Sequence, residues 1–396
     1  MADSLSRTIG KAVNDGLLKG SKPTSISQVV SHQQFVDDTI LLLLASVIEA
    51  KATKAILQLY ESASGQEINY DKSSIFFFNT PEERQLKIAK ILGCNISALP
   101  ATYLGLPLGT KKFSSKVWDE LLERFQKKMA GWKGAILSSA GKCLLIKSTL
   151  QNLPIYIMSL FKIPSSFREK IERIQKKFLW QGMEEKFKFH LVAWDKVCTP
   201  KSMGGLGIKD IEKMNEALIV KMGWRMLSEK QPWIDLIKAK YLNQQTVYSF
   251  LQDEHLPYGS IFWNNLVKSR NFIKQGSKWK VGDGWDINFW EDNWFNGNLM
   301  DSFGIVKNSL VNKYGIKIKD YIEGNGNRKK WKKLSVERDD LVQIISSLQV
   351  QLDLIPLSQL DTKDELVWHN SIDGDYSVKI GYNTFFDSSQ SEVQLE

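Results

Sequence analysis

The chain is poor in the residues that staple small proteins or hold metals: three cysteines and four histidines in 396 residues. Cys94, Cys143 and Cys198 lie far apart and make no CxxC pair, which excludes a disulfide framework and a short zinc-ligand spacing. Each stands beside apolar residues, as a reduced, buried thiol does. His369 stands alone in the tail, and no zinc site is expected. Long apolar runs are also missing. The longest, Ile40 to Ile48, is nine residues, too short to cross a bilayer as a helix, and no signal peptide opens the chain. An intracellular protein, nuclear or cytoplasmic, with no membrane partner is expected. No G-x-x-x-x-G-K-[ST] phosphate loop occurs, and Gly204-Gly205-Leu206-Gly207 reads as a turn before a helix, not as a dinucleotide loop.

What is present is ordinary in bulk and uneven in detail. Hydrophobic residues make up 43% and charged residues 24%, as in globular domains, and the length suggests two or three of them. The net charge is +9, and its excess is local. Between Gly105 and Pro200 there are 18 Lys plus Arg against 8 Asp plus Glu, so the rest of the chain is close to neutral. Such a block is either a solvated helix surface or a site for a polyanion held by salt-sensitive phosphate contacts.

One stretch organises the rest. Val29 to Asp38, followed by Thr39 to Leu44, reads as two short buried strands joined by a tight turn carrying Asp37 and Asp38. Adjacent carboxylates among strands that must pack cost desolvation and mutual repulsion unless a cation compensates. An oxygen-preferring ion such as Mg2+ suits such a pair; a solvated turn with two acids is the other reading.

Around this stretch the text continues in recognisable phrases. They are Phe35-Val36-Asp37-Asp38, Gly65 to Ser73 (GQEINYDKS), Tyr103 to Gly109 (YLGLPLG) and Trp132 to Lys147 (WKGAILSSAGKCLLIK). Leu153 to Ser159, Phe178 to Gly182, Gly204 to Gly207, and Leu366-Val367-Trp368 with Asp375 to Lys379 follow in order. In these phrases the chain resembles the LINE-type (non-LTR) retrotransposon reverse transcriptases of plants, nearly end to end. The resemblance implies RNA-directed DNA synthesis, a nucleotidyl transfer assisted by Mg2+, on an RNA/DNA template-primer. It implies Asp37 as the main metal ligand and catalytic carboxylate and Asp38 as the weaker partner. Phe35 and Lys72 would lie near the incoming nucleotide. Tyr103, Leu104 and Gly105 would lie against the primer, and Lys127, Lys128, Lys142 and Lys147 along the duplex backbone. The family's upstream catalytic aspartate has no match: Asp3 and Asp15 lie on a helix. The expectation is therefore a carboxy-side fragment, inactive alone and completed by an N-terminal palm and fingers polypeptide. Its alternatives are a non-catalytic nucleic-acid-binding protein or an unselected transposon remnant. Val36, where the family commonly has alanine, reads as a departure that a strand tolerates.

The chain in order predicts an α+β protein. Residues 1–110 read as part of a polymerase palm, 111–200 as a basic helical thumb, 201–275 as a helical connector, and 276–396 as a small Trp-rich sheet followed by a truncated zinc-binding-like region. Helices are expected over 2–19, 46–64, 81–92 (capped by Thr80), 114–132, 138–151, 165–180 (capped by Ser165 or Ser166), 210–227, 232–241 and 336–352. A strand is expected over 68–78. Hairpins are expected around Asp283-Gly284, joining 278–281 to 285–290, and around Asp373-Gly374 within 366–378. Trp279, Trp285, Trp290 and Trp294 read as core of that sheet more readily than as base-stacking residues. Residues 324–333 read as a polar linker and 388–396 as disordered.

Overall fold

Helices carry most of the backbone, and among the described residues every sheet has only two strands, which makes the class α+β. The structure, a computed structural model, describes residues 2–24, 29–109, 115–132, 137–180, 192–243, 248–253, 255–295, 297–304, 316–324, 329–334, 339–355, 357 and 362–393. The chain divides into two units, Met1–Asp119 with Gln231–Thr246, and Glu120–Lys230 with Val247–Glu396.

In the first unit, α1 (Ala2–Asn14) buries Leu5, Ile9 and Ala12. It stops short of the expected Lys19 because Gly16 turns the chain at φ 75. Beyond the turn Leu18 is buried, while Leu17 is exposed. Strands β1 (His32–Phe35) and β2 (Asp38–Leu41) pair antiparallel, and Leu41 and Leu43 pack on the α1 cluster with Ala52, Ile56, Leu57 and Tyr60. The latter four sit on α2 (Val47–Ser64), opened by Ser46, whose hydroxyl accepts from Glu49 N, and closed by Gly65 at φ 69. Glu49, a buried acid not foreseen, reaches back to accept from Leu44 N, tying the helix to the end of the hairpin.

The strand expected over 68–78 shrinks to β3 (Ser74–Ile75), which pairs in parallel with β4 (Asn95–Ile96). The reason is local: Lys72 N donates to the Asn69 side chain and Ser73 Oγ to Asn69 O, so residues 69–73 curl. Between them α3 (Glu82–Leu92) begins at Pro81, not at a Thr80 cap, because the Thr80 hydroxyl donates to Phe78 O instead. Strands β5 (Ala101–Tyr103) and β6 (Leu106–Leu108) form a second hairpin. Helix α4 (Ser115–Ala130) starts in the first unit and runs on in the second, and it buries Trp118, Leu121 and Phe125.

In the second unit, α5 (Ser139–Ser148) is capped by Ser138, α6 (Ile155–Met158) is a single turn, and α7 (Ser165–Trp180) spans the expected residues. Pro164 O, not a serine side chain, receives the first amides of α7, from Phe167 and Arg168. After α8 (Trp194–Cys198) comes α9 (Ile211–Ser228), capped by Asp210. Helix α10 (Pro232–Tyr241) groups with the first unit. After α11 (Ser249–Gln252), α12 (Ile261–Gly276) packs on α9. The buried Asn215 of α9 binds three backbone groups, accepting from Ile163 N and donating to Met158 O and Phe161 O.

The Trp-rich part departs from the expected hairpins. Strand β7 (Ser277–Lys280) does not pair with 285–290. After α13 (Leu299–Ser302), β8 (Ile322–Glu323), β9 (Lys330–Trp331) and α14 (Asp339–Asp353), the chain supplies the partner of β7 as β10 (Glu365–Trp368), antiparallel. Asp283-Gly284 is instead a turn pinned from outside. Asp364 Oδ1 accepts from Gly282 N and Gly284 N, and its Oδ2 from Asp286 N. The segment read as a polar linker contains β9, whose Trp331 is buried in the core. The second expected hairpin also fails: Trp368 N bonds Gly374 O, but Val378 opens α15 (Val378–Val393). This helix covers much of the tail read as disordered and packs on α9, with Tyr376 donating to Ala217 O. Residues 394–396 lie outside the described residues. No helix among the described residues is long and apolar enough to cross a membrane.

Candidate nucleic-acid interface

The acidic turn is a two-residue connection, Val36-Asp37, since Phe35 pairs with Asp38 across the hairpin. Alternation along the ribbon sends His32, Gln34, Thr39 and Leu41 to one face and Gln33, Phe35, Asp38 and Ile40 to the other. The first face carries Leu41 into the α1 cluster, while Phe35, Asp37 and Asp38 are exposed. The expectation of two buried strands is therefore corrected: one face is covered, the other is open. Among the described residues neither carboxylate has a hydrogen-bond or ion-pair partner.

Val36 is also corrected. It stands at the tip of the turn with φ 54, a left-handed conformation that is costly for a β-branched residue, and it is 73% exposed. The hairpin is anchored at its base by His32, whose Nε2 lies 2.7 Å from Ser6 Oγ and whose Nδ1 lies 2.9 Å from Ser31 Oγ. Burial lowers the pKa of that imidazole.

The GQEINYDKS phrase is largely stitching onto α2. Ile68 N and Tyr70 OH both donate to Glu61, and Lys54 Nζ stands over the Tyr70 ring while donating to Leu92 O. Burial first, then the Glu61 charge, raises the Tyr70 pKa. Lys72 is exposed at the curl that Asn69 holds. In the YLGLPLG phrase Leu104 and Gly105 form a two-residue turn, both left-handed, at φ 48 and 76. Nothing crowds Gly105, so its requirement is conformational, and the turn's tip, Leu104-Gly105, is exposed beside a half-buried Tyr103.

The predicted lysines of the second unit do not behave alike. Lys127 and Lys128 on α4 are exposed, whereas Lys142 and Lys147 on α5 are half-buried. Lys147 donates to Leu206 O, which ties α5 to the glycine turn. Helix α7 carries further cations. Arg168 and Lys176 are engaged by Glu172 and Glu212, but Lys170, Arg173 and Lys177, one helical stripe, are exposed and have no acidic partner among the described residues. Trp132 and Phe178, with ring centroids 5.4 Å apart, bring the end of α4 beside the end of α7. Lys128 and Lys177 therefore share one end of the helical layer. Among the described residues no three His, Cys, Asp or Glu side chains converge as a metal-binding group.

Two proteins of Arabidopsis thaliana are similar to this chain. One carries the provisional name of a ribonuclease H protein; it is 32% identical over 296 residues, 70% of this chain and 44% of its own length. The other is described as an uncharacterized mitochondrial protein; it is 28% identical over 144 residues, 36% of this chain and 92% of its own. The chain thus spans less than half of the longer relative. No protein-family model matches it.

Proposed function

We propose that this chain is a segment of a plant retroelement polyprotein, of the non-LTR reverse transcriptase kind, whose own task is to hold a nucleic-acid duplex by its backbone. The observation that carries this reading is the set of exposed cations on α4 and α7, Lys127, Lys128, Lys170, Arg173 and Lys177, none of which is engaged in an ion pair among the described residues, although Glu123 and Glu169 are exposed on the same helices. Phosphate contacts of this kind position a duplex without reading its sequence. The similarity to a protein named for ribonuclease H supports a partner that is nucleic acid.

The acidic hairpin supports the more specific part of the proposal. Asp37 and Asp38 offer oxygen donors of the kind Mg2+ prefers, exposed and uncompensated by any side chain among the described residues. They fit that ion in kind and fall short in number, since two-metal phosphoryl transfer draws carboxylates from separate strands. When bound, Mg2+ would neutralise charge on a nucleotide's phosphates; the chain's own contribution is to hold two carboxylates on a strained turn over a packed base. The isolated chain therefore binds template-primer and does not extend it. The alternative of a purely non-catalytic binding protein shares the first half of this expectation.

The test is binding of a 20-base-pair RNA–DNA hybrid across a salt series. Affinity falls steeply with salt, with a log–log slope of about −0.9 per phosphate neutralised. Replacing the five basic residues by alanine flattens that slope by roughly 3 to 5. Asp37→Asn leaves it unchanged. A slope near zero in the parent chain, or one indifferent to the five substitutions, overturns the proposal.

A further inference from the structure

Of the four tryptophans in the segment 277–296, three are core. Trp279, Trp290 and Trp294 are 4%, 7% and 4% exposed and pack with Phe289, Tyr321 and Trp331. The fourth, Trp285, is 62% exposed. It is presented from one of the most constrained loops in the chain. Its neighbours' amides at 282, 284 and 286 all donate to the buried Asp364. Gly284 O accepts from Lys319 N, and Trp285 N donates to the Asp283 side chain. Both glycines are obligatory. A Cβ at Gly282 would stand 2.3 Å from Thr362 O, and one at Gly284, where φ is +72, would stand 2.7 Å from Lys319 N. A loop that only had to close would not need this fixing, and a core tryptophan would not be left in solvent.

The cations around it complete the arrangement. Lys319 Nζ lies over one face of the Trp285 ring, Lys363 is exposed immediately before Asp364, and Lys317 is committed to Gln252 and Asp286 O. The neighbouring acids are occupied: Asp364 takes three amides and Asp283 takes one. Asp286, which feels Asp364, Lys317 and Lys363, is held above the usual carboxylate range, first by burial.

We infer that Trp285 is a stacking platform for an unpaired base of single-stranded nucleic acid, with Lys319 and Lys363 receiving the adjoining phosphates. The ring's open face offers the sequence-tolerant contact that single strands use, and its rigid mounting reduces the ordering cost of binding. This deepens the nucleic-acid reading above but rests on a different surface, and it requires a base that is not paired.

The test compares a fluorescein-labelled 12-nucleotide single strand of RNA with a blunt 12-base-pair duplex, both measured by anisotropy on the full chain. Trp285→Ala weakens the single strand by about tenfold or more, the scale of one lost base stack. Trp285→Phe retains most of the affinity, and the duplex is unaffected. Lys127→Ala with Lys128→Ala and Lys177→Ala weakens the duplex, which separates failure of this inference from failure of the duplex proposal. An unchanged urea midpoint for Trp285→Ala shows that the fold is intact. Single-strand affinity indifferent to Trp285→Ala, or equal losses for strand and duplex, overturns the inference; the first result would mean that the exposed ring serves a protein contact or none.

Discussion

Asp364→Asn puts the pinned loop to its sharpest test. The carboxylate is 6% exposed and accepts at 2.8, 2.9 and 2.9 Å from the amides of Gly282, Gly284 and Asp286. The first two share Oδ1 and the third uses Oδ2. Asparagine keeps one oxygen, so at best two bonds survive, now to a neutral acceptor. Its NH2 group then faces the remaining N–H, donor against donor. Hydrogen bonds to a charged group contribute roughly 1.5–3 kcal/mol each, and an orphaned buried donor costs about 1–3 kcal/mol. The substitution should therefore cost about 2–4 kcal/mol, a large share of the roughly 5–15 kcal/mol that holds a domain together. With a urea slope near 3 kcal/mol/M, the midpoint falls by about 1 M. Fluorescence of the buried tryptophans reports it, and hydrogen exchange should show the 282, 284 and 286 amides losing protection first. A midpoint shift below about 0.2 M, with those amides as slow as before, would refute the reasoning: the loop would then be fixed by packing and not by the carboxylate.

Two further outcomes concern the acidic hairpin. Val36→Gly removes a β-branched side chain from the left-handed region, a relief of about 1–2 kcal/mol, against the greater chain entropy that glycine gives up, about 0.5–1 kcal/mol. The exposed side chain leaves little burial to lose, so the first unit's thermal midpoint should rise by a few degrees; a fall would show that Val36 contributes packing unseen in its exposure. His32, whose pKa burial lowers from its ordinary 6.5, favours the neutral ring in the folded state. Its contribution is complete above the unfolded pKa and is lost as pH drops through the lower folded value. The hairpin unit should lose stability between pH 7 and 5, and His32→Gln should flatten that loss; parallel pH profiles for the two proteins would count against it.

What the sequence disclosed follows from the range of the forces involved. Helices were legible where a cap and a periodic face agree within one turn: Ser46 with Gly65, Asp210 before Ile211, and Pro232 at the start of α10 all signal through neighbours in the chain. Strand pairing was not, because it depends on distant partners. The Asp283-Gly284 dipeptide is a strong local hairpin signal, yet its amides go to Asp364, and β7 takes β10 as its neighbour. The last helix was missed for a related reason. Its polar end, Ser388 to Glu392, resembles a loose tail, while the contacts that fix its beginning come from α9. Tyr382 OH accepts from Asp210 N, Lys213 donates to Phe385 O, and Gly381 leaves room for the Tyr376 ring.

The candidate site divides along the same line. That a hairpin turns at these acids, with Asp37 in the turn and Asp38 opening β2, was readable from the apolar residues on either side of them, since turn chemistry is a local property. That the same hairpin is covered on one face only was not, because coverage is decided by α1 and α2. The four lysines singled out in the sequence differ in how free their ammonium groups are. Charge alone does not separate Lys147, which donates to Leu206 O, from Lys177, which no acid engages among the described residues. Nor does it separate Lys176, held by Glu172, from Lys170 and Arg173 on the open side of the same helix. A lysine's availability to a phosphate is set by what else lies within reach of its ammonium. The tryptophans obey the same logic: four similar residues in one short segment divide into three that pack and one that is presented, and the division is made by Asp364, a buried acid far along the chain that no spacing around Trp285 could announce.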